Sequence, residues 1–147
     1  MRLTGLPLVA LLCLLVAPLA SAKEVLPGPV YAELLDVTDG DTVKVRAAIW
    51  LGQEIEISVR LSGIDTPEMG GRAKCTAERV QAERALFFLE QFLGAGPVIL
   101  TNIQYGKYAG RVVADVANAD EEDAAAALLE EGLARKMRRG SRAKWCE

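Results

Sequence analysis

The chain contains no histidine among its 147 residues. That absence excludes Ser-His-Asp and Cys-His activation of a nucleophile, zinc sites built on imidazole, and the usual general acid or base near neutral pH. Any catalysis must rest on carboxylates, Arg, Lys, Tyr, Cys or a metal held by oxygen. Neither sign of charge dominates, with 17 Lys plus Arg against 20 Asp plus Glu. Cysteine is scarce, at three residues, and no repeat or low-complexity tract interrupts the chain. A composition 51% hydrophobic and 25% charged is that of one domain.

The first 22 residues read as a processed leader rather than as part of the fold. Arg2 is their only charge, Leu8 to Ala17 is an apolar core, and Ala20-Ser21-Ala22 has the small, any, small pattern of a signal-peptidase site. Cleavage would leave Lys23 first, giving a secreted or periplasmic protein without stable membrane association. The alternative is an uncleaved anchor, since Leu3 to Ala22 is 20 residues without a charge. Without the leader the chain keeps 16 basic and 20 acidic groups, a net charge near −4. Cys13 leaves with it. Cys75 and Cys146 remain, and in an oxidising compartment they are expected to pair, the alternative being two unrelated buried thiols.

Residues 23–30, with Pro27, Gly28 and Pro29, form an extended lead-in. The domain, 31–147, opens as a β meander: Leu34 to Val37 runs into the turn Asp39-Gly40, Thr42, Val43 and Val45 follow, and Ile55, Ile57, Val59 and Leu61 alternate with polar residues beyond Leu51-Gly52-Gln53. Met69 to Lys74 reads as a loop. Thr76 is the expected N-cap of a helix reaching Leu93, with Ala85, Phe88, Leu89 and Phe92 on its buried face and Gly94 as its stop. Val98 to Ile103 and Arg111 to Ala117 are strands, and a second helix is expected from about Asp120 to Glu131, with four acids in its first turn. Five strands, with helices after the third and the fifth, match an α+β fold: a five-stranded Greek-key barrel of the OB type carrying two packed helices.

Four segments place acids and cations on strand ends and turns. They are Asp39-Gly40-Asp41-Thr42, Arg60 to Glu68, Lys107-Tyr108-Ala109-Gly110-Arg111, and a tail, Arg135 to Lys144, with six cations in ten residues. Separately each has a plain reading as a hairpin turn, a strand exit or a solvated face. Together they bring carboxylates for a hard cation, arginines for a phosphate and a further carboxylate to activate water. Oxygen-only ligation favours Ca²⁺ or Mg²⁺ over zinc.

In this order, Asp-Gly-Asp-Thr-Val-Lys, Arg-x4-Asp-Thr-Pro-Glu, Lys-Tyr-x-Gly-Arg and Glu-Gly-Leu-Ala resemble the staphylococcal nuclease (thermonuclease) family, over about Tyr31 to Ala134. The resemblance implies an OB barrel and a Ca²⁺-dependent phosphodiesterase, an endonuclease that cuts DNA and RNA with low sequence specificity and leaves 3′-phosphates. A monomer that prefers single-stranded or denatured substrate is expected. Carried over, Asp41, Asp65 and the Thr66 carbonyl would ligate Ca²⁺, and Glu68 would be the general base. Arg60 and Arg111 would grip the scissile phosphate, with Lys107 and Tyr108 on a neighbouring one. The pattern departs from the family at Tyr-Ala-Gly-Arg, one residue longer than usual, at Gly106 in place of Asp, and in ending where a third helix would follow. Arg138 and Arg139 occupy the region of the family's base-flanking tyrosines, so the tail is expected either to contact phosphates or only to deliver Cys146. The rival reading is a non-catalytic OB module binding single-stranded nucleic acid or a protein partner. Another is a calcium-stabilised envelope domain.

Overall fold

Period-2 alternation of β-branched residues builds the wall of the fold. In the computed structural model, which describes residues 24–138 and 143–146, a two-residue strand β1 (Val25–Leu26) precedes β2 (Val30–Asp39), β3 (Thr42–Trp50) and β4 (Gln53–Leu61). Val43, Val45 and Ala47 from β3 and Val59 and Leu61 from β4 point inward and are buried. The outer face is wet: Arg46 on β3 is held by Glu33 and Glu56 on either side. After β5 (Ile64–Asp65) comes α1 (Thr76–Leu93), then β6 (Val98–Tyr105), β7 (Arg111–Ala117), α2 (Ala124–Glu130) and β8 (Arg135–Lys136).

The meander β2-β3-β4 is antiparallel, β4 pairs in parallel with β7, and β7 and β2 both pair with β6. Those pairings close a five-strand barrel of the OB type, and β1 extends β6. Ala82, Ala85, Leu89 and Leu93 of α1 face the core, with Phe88 and Phe92 half-buried beside them. α1 packs on β2 and α2.

Two expectations are corrected. Cys75, not Thr76, caps α1: its Sγ accepts from the Glu78 N–H at 3.4 Å. The second helix starts at Ala124, because Asn118 takes the backbone N–H groups of Asp120 and Glu122 on its side-chain oxygen and folds that stretch into a turn. Its four acids precede the helix, and Asp123 caps it through an N–H of Ala126 at 2.6 Å. The tail also pairs with the barrel's rim, since β8 lies antiparallel to β5 in a two-stranded ribbon. Among the described residues no third helix follows, and a Cys75–Cys146 disulfide ties the tail to the start of α1. The expected leader, 1–22, and Arg139 lie outside the described residues.

Candidate active site

Strand register assembles the first half of the site. Thr42 faces Arg60 across β3 and β4, and the parallel pairing of β4 with β7 sets Ser58 beside Arg111 and Arg60 beside Val113. Arg60 and Arg111 are therefore diagonal neighbours on the outer face, opposite the inward Val59 and Leu61. The Asp39-Gly40 turn presses against α1: a Cβ at Gly40 would stand 2.8 Å from that of Ala85, so only glycine fits there. This places Asp41, which is buried, against the end of β4, where the Leu61 N–H donates to its carbonyl at 2.8 Å.

Arg60 joins the two carboxylates. One nitrogen meets Asp41 Oδ1 at 2.6 Å, and another lies 3.6 Å from Asp65 Oδ1. Thr42 Oγ1 also donates to Asp41 at 3.1 Å. Burial pushes the Asp41 carboxyl up from 3.8 to about 6; Arg60 pulls against that rise, and the neighbouring Asp39 adds to it. Asp65, also buried, ends β5, and its Oδ2 accepts the Ala143 N–H of the returning tail at 3.0 Å. Thr66 and Pro67 are buried after it, and Glu68 follows half-buried, paired with Arg72 Nε at 3.0 Å.

Asp41, Arg60, Asp65, Thr66 and Glu68 border one cavity of about 550 Å³, together with Tyr108, Arg111 and Arg138. The longer turn before Arg111 does not take it away: the Gly106 N–H donates to the Arg111 carbonyl at 3.0 Å and closes the loop below Ala109. A Cβ at Gly106 would lie 2.7 Å from that carbonyl oxygen, which accounts for glycine there. The Arg111 guanidinium lies over the Tyr108 ring at 5.1 Å, and its Nε is buried without a hydrogen-bond partner among the described residues. A buried donor left this way suits an incoming anion. Lys107 sits 5.7 Å from the same ring but does not line the cavity. Of the tail cations, Arg138 reaches the cavity, carried there by β8 and the Met137 N–H bond to Gly63 at 2.8 Å. Arg135 is engaged within the tail, stacked on Trp145 at 4.5 Å and donating to the Lys144 carbonyl.

The donor set at Asp41, Asp65 and the Thr66 carbonyl is all oxygen, and both carboxylates are buried at the cavity's edge. A hard divalent cation fits such a set. Cys75, Glu78 and Cys146 also converge within 4.8 Å, but the two sulfurs are bonded to each other and do not form a metal site.

Arg72 and Asp39 also border the cavity, 3.9 Å from each other; Asp39 belongs to the Asp-Gly-Asp turn already singled out, whereas Arg72 did not stand out in the sequence. Arg72 belongs to a Gly-Gly-Arg turn that reads as plain loop. The chain matches a family model described as staphylococcal nuclease homologue over residues 58–145, a span that includes Arg60, Asp65, Glu68 and Arg111 and begins after Asp41. No curated protein matches it.

Proposed function

From the chain's membership of the staphylococcal nuclease homologue family, which points to nuclease activity on nucleic acid, we propose that it is a Ca²⁺-dependent phosphodiesterase cutting DNA and RNA with low sequence specificity. One observation carries this reading: two arginines, two buried carboxylates and a further glutamate border a single cavity. A module that only binds strands needs the arginines but has no use for Glu68 beside them.

In this reading Arg60 and Arg111 hold nonbridging oxygens of the phosphodiester, and their hold strengthens as charge builds there in the transition state. Glu68 orients the attacking water and takes its proton as the new P–O bond forms. The 5′ oxygen departs and is protonated from solvent, leaving a 3′-phosphate. Arg72 keeps Glu68 directed into the cavity. Asp41, Asp65 and the Thr66 carbonyl would hold Ca²⁺, which supplies Lewis-acid polarisation of the phosphate when bound. Tyr108, beneath Arg111, and Arg138 would flank the neighbouring nucleotide, and Lys107 would contribute from the rim. Phosphate contacts dominate such a surface, so substrate choice is broad and binding is salt-sensitive. The leader Met1–Ala22 and the disulfide fit a monomeric enzyme exported to the periplasm or beyond.

The test is incubation of purified 23–147 with denatured DNA, in Ca²⁺ and in chelator. Cleavage in Ca²⁺ that chelator abolishes is expected. Binding without cleavage under every divalent ion would replace the enzyme by a strand-binding module.

A further inference from the structure

Glu68 opens a loop that is fastened at its two ends. Between Glu68 and Lys74 the chain passes through Gly70, Gly71 and the exposed Arg72, and an added side-chain carbon at either glycine would meet nothing within 4 Å. Both ends of that segment converge on one buried carboxylate. Glu78 Oε1 accepts the Glu68 N–H at 3.2 Å, and Glu78 Oε2 accepts the Lys74 N–H at 2.7 Å.

Resting on the assignment of Glu68 as the base, we infer that Glu78 is a positioning residue, a clamp that closes the 68–74 loop and aims Glu68 at the phosphate. Its own placement follows from local structure. Cys75 and Glu78 stand in the N-cap and third helical positions, where a capping box returns the glutamate to the cap residue's N–H. Here the cap half is intact, with Cys75 Sγ accepting from Glu78 N–H, but the carboxylate reaches past the cap to Lys74 and Glu68. Cys146 Sγ lies 3.7 Å from Oε2, so the disulfide covers the carboxylate on one side. A glutamate that served only the helix would have no reason to hold the backbone of residue 68. The phosphate grip does not share this dependence, because Arg60 and Arg111 stand on paired strands.

The Gln side chain offers one acceptor oxygen where Glu offers two, and its NH₂ faces an N–H. Steady-state cleavage of denatured DNA in saturating Ca²⁺ is therefore compared for the parent mature chain, Glu78→Gln, Glu68→Gln and the double variant. Glu78→Gln is expected to lower kcat on the order of tenfold to a hundredfold, the scale of a small misplacement of a catalytic group. KM should stay within about twofold, because the strand-borne contacts are untouched. The double variant should be no slower than Glu68→Gln, since a clamp has nothing left to aim. Gly71→Ala, which adds a methyl into open space and stiffens the loop, should restore part of the lost kcat.

A folded Glu78→Gln with parental kcat, a loss shared equally by KM, or an additive double variant overturns the clamp and leaves the base assignment standing. Should Glu78→Gln not fold, Glu78→Asp, which draws the carboxylate back by one methylene, carries the same expectations. A fully active Glu68→Gln would instead remove the base assignment, and the clamp with it.

Discussion

Arg60 and Arg111 enter the cavity from strands whose register fixes them, whereas Glu68 enters it from a loop fastened by side chains and by a returning tail. On the barrel wall, position follows from backbone pairing, so the charges arrive pre-set and mostly buried. On the loop side, position depends on the Glu78 carboxylate, on Arg72 and on a disulfide formed across 71 residues of sequence. In the proposed reading the difference divides the labour: the wall supplies charge for binding, and the loop supplies the group that moves a proton.

The largest effect is expected on the wall. Arg60→Met leaves Asp41 buried without its guanidinium, which costs about 3–5 kcal/mol of stability near pH 8, and it removes the proposed phosphate contact, worth on the order of a hundredfold in rate. Denaturant unfolding and cleavage rates measure both, and a variant that kept either value would show the pair to be dispensable. Reduction of Cys75–Cys146 comes next, at about 4 kcal/mol in the chain-entropy account of a 71-residue loop. At partial denaturation it should free the β5–β8 ribbon before the barrel, read by hydrogen exchange at Met137 against Val59. Equal loss at both amides would make the barrel as dependent on the tail as the loop is.

Proton linkage at Asp41 gives a smaller effect. Its folded value of about 6 lies above 3.8, so the ionised form is disfavoured in the fold; this subtracts stability above about pH 6 and is relieved as pH falls toward 4. In chelator the parent should gain at most about 3 kcal/mol relative to Asp41→Asn between pH 7 and 4. A gap that did not change with pH would mean that Asp41 titrates normally. Arg72→Ala should have the least effect, because its side chain is 69% exposed: under about 1 kcal/mol, and less than about tenfold in rate. A rate loss equal to that of Glu68→Gln would make Arg72 a substrate contact.

The wall was the legible half. Alternation of Val43, Val45 and Ala47 against Ile57, Val59 and Leu61 declares two paired strands, and an Asp-Gly turn between strands leaves little freedom in where Asp41 falls. The loop side was less readable because its order comes from contacts remote in sequence. Ile64–Asp65 is too short to signal a strand and becomes one only when Arg135–Lys136 returns to it. Asn118 removes a turn of helix that the acidic run suggests, by competing for backbone N–H groups. Nothing local in the sequence marks that the Glu78 carboxylate reaches back to Glu68.

The division of labour is tested most directly by Glu68→Gln, assayed for both equilibrium binding and cleavage of single-stranded DNA in Ca²⁺. Affinity within a few-fold of the parent is expected, with cleavage slower by on the order of a hundredfold or more. Cleavage at the parental rate, or a loss of binding as large as the loss of cleavage, would contradict it.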